Sequence, residues 1–176
     1  VNRFLLLLGV LLLSASGVAA AQVAPVDWCA ANGLELKLGP DQGGSGMGKT
    51  DTTLSLVNRG SAPCRLRGFL EVREIGQNDA PLGRPAVREG GLGPVVTLAP
   101  RGGAALAPML TVNPGMFDEQ ACHTVPGKGL RILLPGPDGG PGDPVRNTVF
   151  LPMDSMLTCA KDVGEPRLRI RSLIPG

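Results

Sequence analysis

Glycine and proline interrupt this chain so often that a helix of ordinary length has little room to form. There are 26 Gly and 17 Pro among 176 residues, and in a helix interior they cost about 1 and about 3 kcal/mol each relative to Ala. No window of a dozen residues carries a helical apolar stripe. What survives between the interruptions is alternation. In "LELKLG" (34–39), Leu34, Leu36 and Leu38 alternate with Glu35 and Lys37, the period of a strand with one buried face. Comparable runs at 52–58, 64–75, 94–100, 103–112, 129–135, 147–153 and 166–174 are each bounded by Gly, Pro, Asn or Asp. This rhythm predicts an all-β, antiparallel β-sandwich. Residues 76–93 and 135–144 read as long loops, and there is no internal repeat.

The N-terminal residues point to export. Asn2 and Arg3 form a short positive region, "FLLLLGVLLL" follows, and "SASGVAAA" offers Ala19 and Ala21 for cleavage, the three parts of a secretory signal. The apolar part is shorter than the roughly 20 residues that span a bilayer. Residues 1–21 are therefore expected to be removed, leaving one domain over 22–176, secreted or periplasmic, with no stable membrane insertion. Cys29 lies too far on for a lipoprotein signal, and no twin-Arg motif is present.

The four cysteines, Cys29, Cys64, Cys122 and Cys159, lie beyond that signal. An even count in an oxidising compartment predicts two disulfides. Structural zinc sites bring cysteines in close pairs, and here no two are near in sequence. Spacing alone does not choose among three pairings. The pairing expected is Cys29 with Cys64 and Cys122 with Cys159. Each bond would close a loop of about 35 residues, worth about 3–4 kcal/mol in the chain-entropy model.

One motif argues for a different function. "GGSGMGKT" (43–50) matches the phosphate-binding P-loop pattern in full. That pattern works only where a buried strand leads into a helix whose amides meet the phosphates. Here an amphipathic strand precedes the match, and "DTTLSLVN" after it alternates as a strand does. No apolar strand ends in an Asp placed to hold magnesium. The segment is therefore read as a Gly-rich hairpin loop and nucleotide binding is not expected.

"LSLVNRGSAPCRLRGFLEV", with Leu56, Asn58, Gly60, Cys64, Leu66, Gly68 and Phe69, resembles the L-x-N-x-G-x-x-x-C-x-L-x-G-[FY] core of a bacterial secreted family, the domain of unknown function forty-two thirty-two. "PLGRPAVREGG" and "VTLAPRGGAALAPML" are similar to its variable loop and its V-T-L-x-P-G segment, with Arg101 where a Gly is usual. Cys122 and Cys159 fall where its later cysteines do. The resemblance covers about residues 29–172 and implies an immunoglobulin-like β-sandwich. It transfers no activity, ligand or catalytic residue, and it puts the P-loop match inside the variable first loop.

The remaining chemistry is sparse. His123 is the only histidine, and it follows Cys122 directly. A triad needs a nucleophile, a base and an orienting group converging in space, and Ser45 lacks the second glycine of a nucleophile elbow. "FDEQACH" (117–123) offers only Asp118, Glu119 and His123 for a metal, and reads as a solvated loop. No catalytic residue, metal site or cofactor is expected. Arg167, Arg169 and Arg171 alternate in the last strand while Leu168 and Ile170 face the core. This arrangement reads as an exposed charged face that discourages edge-to-edge pairing.

With 17 Lys and Arg against 15 Asp and Glu, the charge is near neutral, which gives nucleic acid no electrostatic attraction. Tyrosine is absent and Trp28 is the only tryptophan, so stacking platforms for bases or sugars are largely absent. Trp28 is expected to cover the first disulfide. The function expected is that of an exported, monomeric, non-enzymatic module binding a protein or envelope polymer through its long loops. The alternative is a secreted hydrolase using His123 with Asp118 or Glu119.

Overall fold

Alternation sets most of the strands, and tertiary pairing sets the rest. The computed structural model describes residues 25–39 and 46–176; the expected signal segment lies outside these, as do Ser45 and the start of the P-loop match. In chain order the strands are β1 (Asp27–Trp28), β2 (Leu34–Leu38), β3 (Lys49–Asn58), β4 (Cys64–Leu66), β5 (Glu71–Gly76), β6 (Pro81–Leu82) and β7 (Val87–Glu89). They continue as β8 (Val96–Leu98), β9 (Ala104–Val112), β10 (Thr124–Leu133), β11 (Thr148–Pro152), β12 (Leu157–Cys159), β13 (Leu168–Arg171) and β14 (Ile174–Pro175). Between them lie two 3₁₀ turns, Ala31–Gly33 and Pro114–Met116, and one short helix, α1 (Glu119–Cys122).

Two large sheets pack face to face. One runs β2-β3-β9-β13-β7, with β14 also on β9, and the other runs β11-β10-β5-β6, with β12 also on β10. A small sheet, β1-β4-β8, completes the fold. Most pairs are antiparallel; β1 with β4 and β13 with β7 are parallel. The result is an all-β, immunoglobulin-like sandwich. Leu54, Leu56, Ala105, Ala107 and Ile170 from the first sheet meet Val72, Leu130 and Ile132 from the second. Each fully buried Leu or Ile of this kind stabilises the fold by about 1.5–3 kcal/mol.

Cys29 is bonded to Cys64, with Cα atoms 4.9 Å apart, and Cys122 to Cys159 at 4.6 Å. The first bond ties the residue after β1 to the first residue of β4. The second ties α1 to β12. Trp28 is half-buried and stacks under the Arg65 guanidinium, 4.7 Å from its ring centre.

The residues that carry the resemblance have structural reasons. Asn58 is buried; its Nδ2 donates to the carbonyls of Ala62 and Leu98, and its Oδ1 accepts from the Gly60 N–H. One amide thus folds the turn that returns the chain to Cys64. Gly68 has φ +108°, and a Cβ there would lie 2.7 Å from the Gly139 carbonyl oxygen. Its own carbonyl accepts from the Leu173 N–H and the Ser172 hydroxyl. The run 64–75 is therefore two strands, not the one its alternation predicts, because the chain crosses between sheets at Gly68. Arg101 has φ +58°, a conformation that favours glycine.

Two other expectations are corrected. The long segment 76–93 is not simply a loop: β6 pairs with β5, and β7 pairs with β13. The segment 117–123 contains a helical turn, too short for any periodic pattern to register. Asp118, Glu119 and His123 on it are exposed, as a solvated segment requires.

Candidate functional site

At the P-loop match, Gly46 and Lys49 exchange both backbone hydrogen bonds, each 3.1 Å. Met47 and Gly48 between them have φ +50° and +73°, the signs of a two-residue type I′ hairpin turn. Lys49 and Thr50 then open β3, which pairs along its length with β9. A strand therefore follows the lysine, where phosphate binding would require a helix N-terminus. The turn is seated against Pro114–Met116: the Gly48 carbonyl accepts from the Asn113 N–H, and Met116 fills the space a Cβ on Gly48 would need.

His123 caps α1 in the left-handed region, φ +49°, with its N–H donating to the Glu119 carbonyl. The Glu119 carboxylate accepts from the Thr124 hydroxyl at 2.6 Å and the Thr124 N–H at 2.8 Å. These two bonds, the hydroxyl first, hold the Glu119 carboxyl below the usual glutamate range, with a smaller contribution from nearby His123. Both oxygens thus serve to close the turn that carries Cys122. Because the folded carboxyl is depressed, this contribution is present above the unfolded value and fades as pH falls through the folded one. Thr124→Val is expected to raise the Glu119 carboxyl toward the ordinary value in a carbon-detected NMR titration; an unchanged titration would exclude Thr124 as the cause. Among the described residues, no group of three or more His, Cys, Asp and Glu is placed to hold a metal ion.

The arginine series does not share one exposed face. Arg169 and Arg171 do face outward from β13, and Leu168 and Ile170 are buried beneath them. Arg167 precedes the strand and turns inward. Its Nε and Nη2 donate to the two Glu74 oxygens at 3.3 and 2.7 Å, with the two side chains only 7% and 4% exposed. Nor is β13 an edge, since it lies between β9 and β7. Sequence reading missed Glu74, although a signal existed: Leu70, Val72 and Glu74 share the buried phase of one run. A carboxylate on such a phase requires a partner.

Outside β9 and β13 the surface is concave. A depression of about 420 Å³ has Leu106, Pro108 and Leu110 as an apolar floor and Asp51, Arg169 and Arg171 around it. A second, of about 640 Å³, shares Glu89, Leu110 and Arg169 with it and extends past Lys49, Asp118 and Glu165. The first is a groove along the sheet, and the second adjoins it at these residues. Arg169 donates to Glu89 at 2.9 Å where the two depressions meet, so a residue of the segment 76–93 helps build the groove.

The model of the family described as a domain of unknown function (DUF4232) matches residues 29–173. The chain belongs to this family. The match begins at Cys29 and spans both disulfides, the Asn58 turn and the Gly68 crossover. No curated protein matches the DUF4232 chain, and no solved structure does.

Proposed function

We propose that this DUF4232 protein is an exported, non-enzymatic binding module whose partner, a protein or envelope polymer, docks in the groove outside β9 and β13. The groove itself carries the reading. It combines an apolar floor of Leu106, Pro108 and Leu110 with charges of both signs at Asp51, Glu89, Arg169 and Arg171, as a docking surface needs for both affinity and register. The disulfides fit an oxidising compartment, which favours a secreted or periplasmic location. Among the described residues, no helix is long and apolar enough to cross a membrane. The non-enzymatic reading draws support from Glu119, whose oxygens are both occupied by Thr124.

Leu110→Glu places a charge on the groove floor at a half-buried, outward-facing site. In capture from an envelope extract, a partner retained by the exported protein is expected to be lost by Leu110→Glu and by Arg171→Glu, and kept by His123→Ala. Capture unaffected by both groove variants would refute this use of the groove. Ester or peptide hydrolysis that disappears with His123→Ala would replace the reading with the hydrolase.

A further inference from the structure

The outer face of the second sheet, turned away from the groove, brings two arginines side by side. In the register of β5 and β10, Arg73 lies directly opposite Arg131. The adjacent pair, Val72 with Ile132, is buried in the core, so strand alternation turns both guanidiniums outward. Like charges directly opposite on neighbouring strands are destabilising, and the protein balances these two only in part. Arg73 reaches Glu71, with 3.6 Å between Nε and Oε1, and Arg131 donates from Nη2 to the Asp79 carbonyl at 3.2 Å. Among the described residues, no other acceptor engages either guanidinium.

Arg73, Arg131 and Glu71 line a depression of about 250 Å³ whose remaining wall is mainly apolar, with Pro81, Leu133 and Pro144. Thr148, the other polar residue of the wall, donates its hydroxyl to the Pro144 carbonyl at 2.7 Å. The arginines are thus its free donors. Two cations and one carboxylate leave this depression with one positive charge in excess. Carboxylates on the adjoining loops are engaged elsewhere: Asp79 with Lys128 at 2.6 Å, and Asp143 with the Val145 N–H at 2.9 Å. A single negative charge is what the depression lacks. A carboxylate has two oxygens, one for each guanidinium, and such charge-assisted bonds are about twice as strong as neutral ones. A dianion would exceed the charge to be balanced and meet Glu71. The volume lies below the roughly 300–1,000 Å³ of pockets for drug-sized ligands, so the body that follows the carboxylate is short.

We propose that this depression binds a small organic carboxylate, with its oxygens bridging Arg73 and Arg131 and its short apolar chain lying against Leu133, Pro81 and Pro144. This site is independent of the groove partner. Leu110→Glu on the opposite sheet is expected to leave it intact.

Hexanoate, hexanamide, acetate and sulfate serve as probes at constant ionic strength, with arginine side-chain ¹⁵N and leucine methyl NMR on the exported protein as readout. Hexanoate is expected to shift Arg73, Arg131 and Leu133 saturably and to leave Arg169 and Arg171 in place. It is expected to bind more tightly than hexanamide, which lacks the charge, and than acetate, which lacks the chain, by about fivefold or more in each case. Sulfate is expected to bind more weakly than hexanoate. Arg73→Gln and Arg131→Gln, both on the solvent side of the sheet, are each expected to weaken hexanoate by about fivefold or more. Arg146→Gln, on the loop beside Pro144 but outside the depression, is expected to change it by less than about twofold. Equal binding of hexanamide or acetate, stronger binding of sulfate, or a loss as large with Arg146→Gln as with Arg73→Gln would each overturn the proposal. The probe comparisons use the native protein and do not depend on any variant folding.

Discussion

Glu74→Ala is expected to destabilise the protein by about 3–5 kcal/mol in urea unfolding, because it leaves the Arg167 guanidinium charged, buried and without its carboxylate. The two side chains are 4% and 7% exposed, so in the native fold the guanidinium depends on these oxygens rather than on solvent. Arg167→Met, which strands Glu74 instead, is expected to cost a similar amount. Replacing both, with Leu at 74 and Met at 167, is expected to bring stability back to within about 1 kcal/mol of the native protein or above it. An apolar pair of similar volume escapes the desolvation penalty that the ions incur. A single Glu74→Ala loss below about 1 kcal/mol would show that the pair is solvated in solution. The two single variants must also fall by more than the paired one. If the paired variant is the least stable, the packing around these two positions needs the ions for their shape, not merely for their mutual attraction.

Replacing Cys122 and Cys159 together by Ser is expected to cost about 3–4 kcal/mol through the larger conformational freedom of the unfolded chain. The bond closes a span of 37 residues. The Cys29–Cys64 bond closes 35, so its removal is expected to cost about the same in that model. The two losses should nevertheless differ in one local respect. Cys122 sits in α1, whose turn is closed by Glu119 and Thr124, so loosening it should let the Glu119 carboxyl return toward its ordinary range. Removing the Cys29–Cys64 bond should leave that titration unchanged. A stability loss below about 1 kcal/mol for the Cys122 and Cys159 replacement would mean that restraint of the unfolded chain is not what this crosslink supplies.

The buried pair and the crosslinks also show where sequence reading stops. Runs bounded by Gly, Pro, Asn or Asp placed β2, β3, β9 and β11 to within a few residues, because such breakers limit a segment to a strand's length. The Gly-rich segment ending at Lys49 read as a hairpin because a strand pattern followed it, and Met47 and Gly48 supply the positive φ that a two-residue turn needs. Local pattern could not place the first turn of β10. Pro126, Gly127 and Gly129 in "TVPGKG" argue against a strand, yet β12 and β5 pair with this segment across a register shift at Gly127 and Gly129. Likewise β6 and β7 are strands only because β5 and β13 offer them an edge.

The candidate sites divide in the same way. Alternation put Arg169 and Arg171 on the outside of β13, but the groove they border also needs Asp51 on β3 and Glu89 on β7. Arg167 follows the same spacing in sequence and ends up inside, paired with a carboxylate 93 residues away. What the sequence determined by itself was the class of structure and its framework: interrupted alternating runs, an even set of dispersed cysteines, and the Asn58 and Gly68 positions of a family motif. Those are local properties, fixed by backbone sterics and by the period of a strand. Tertiary structure alone decided which cysteines meet, which arginine is buried and which strands share a groove. Such choices depend on the closure of distant segments around a common core, where burial makes an unmatched charge costly and so selects its partner.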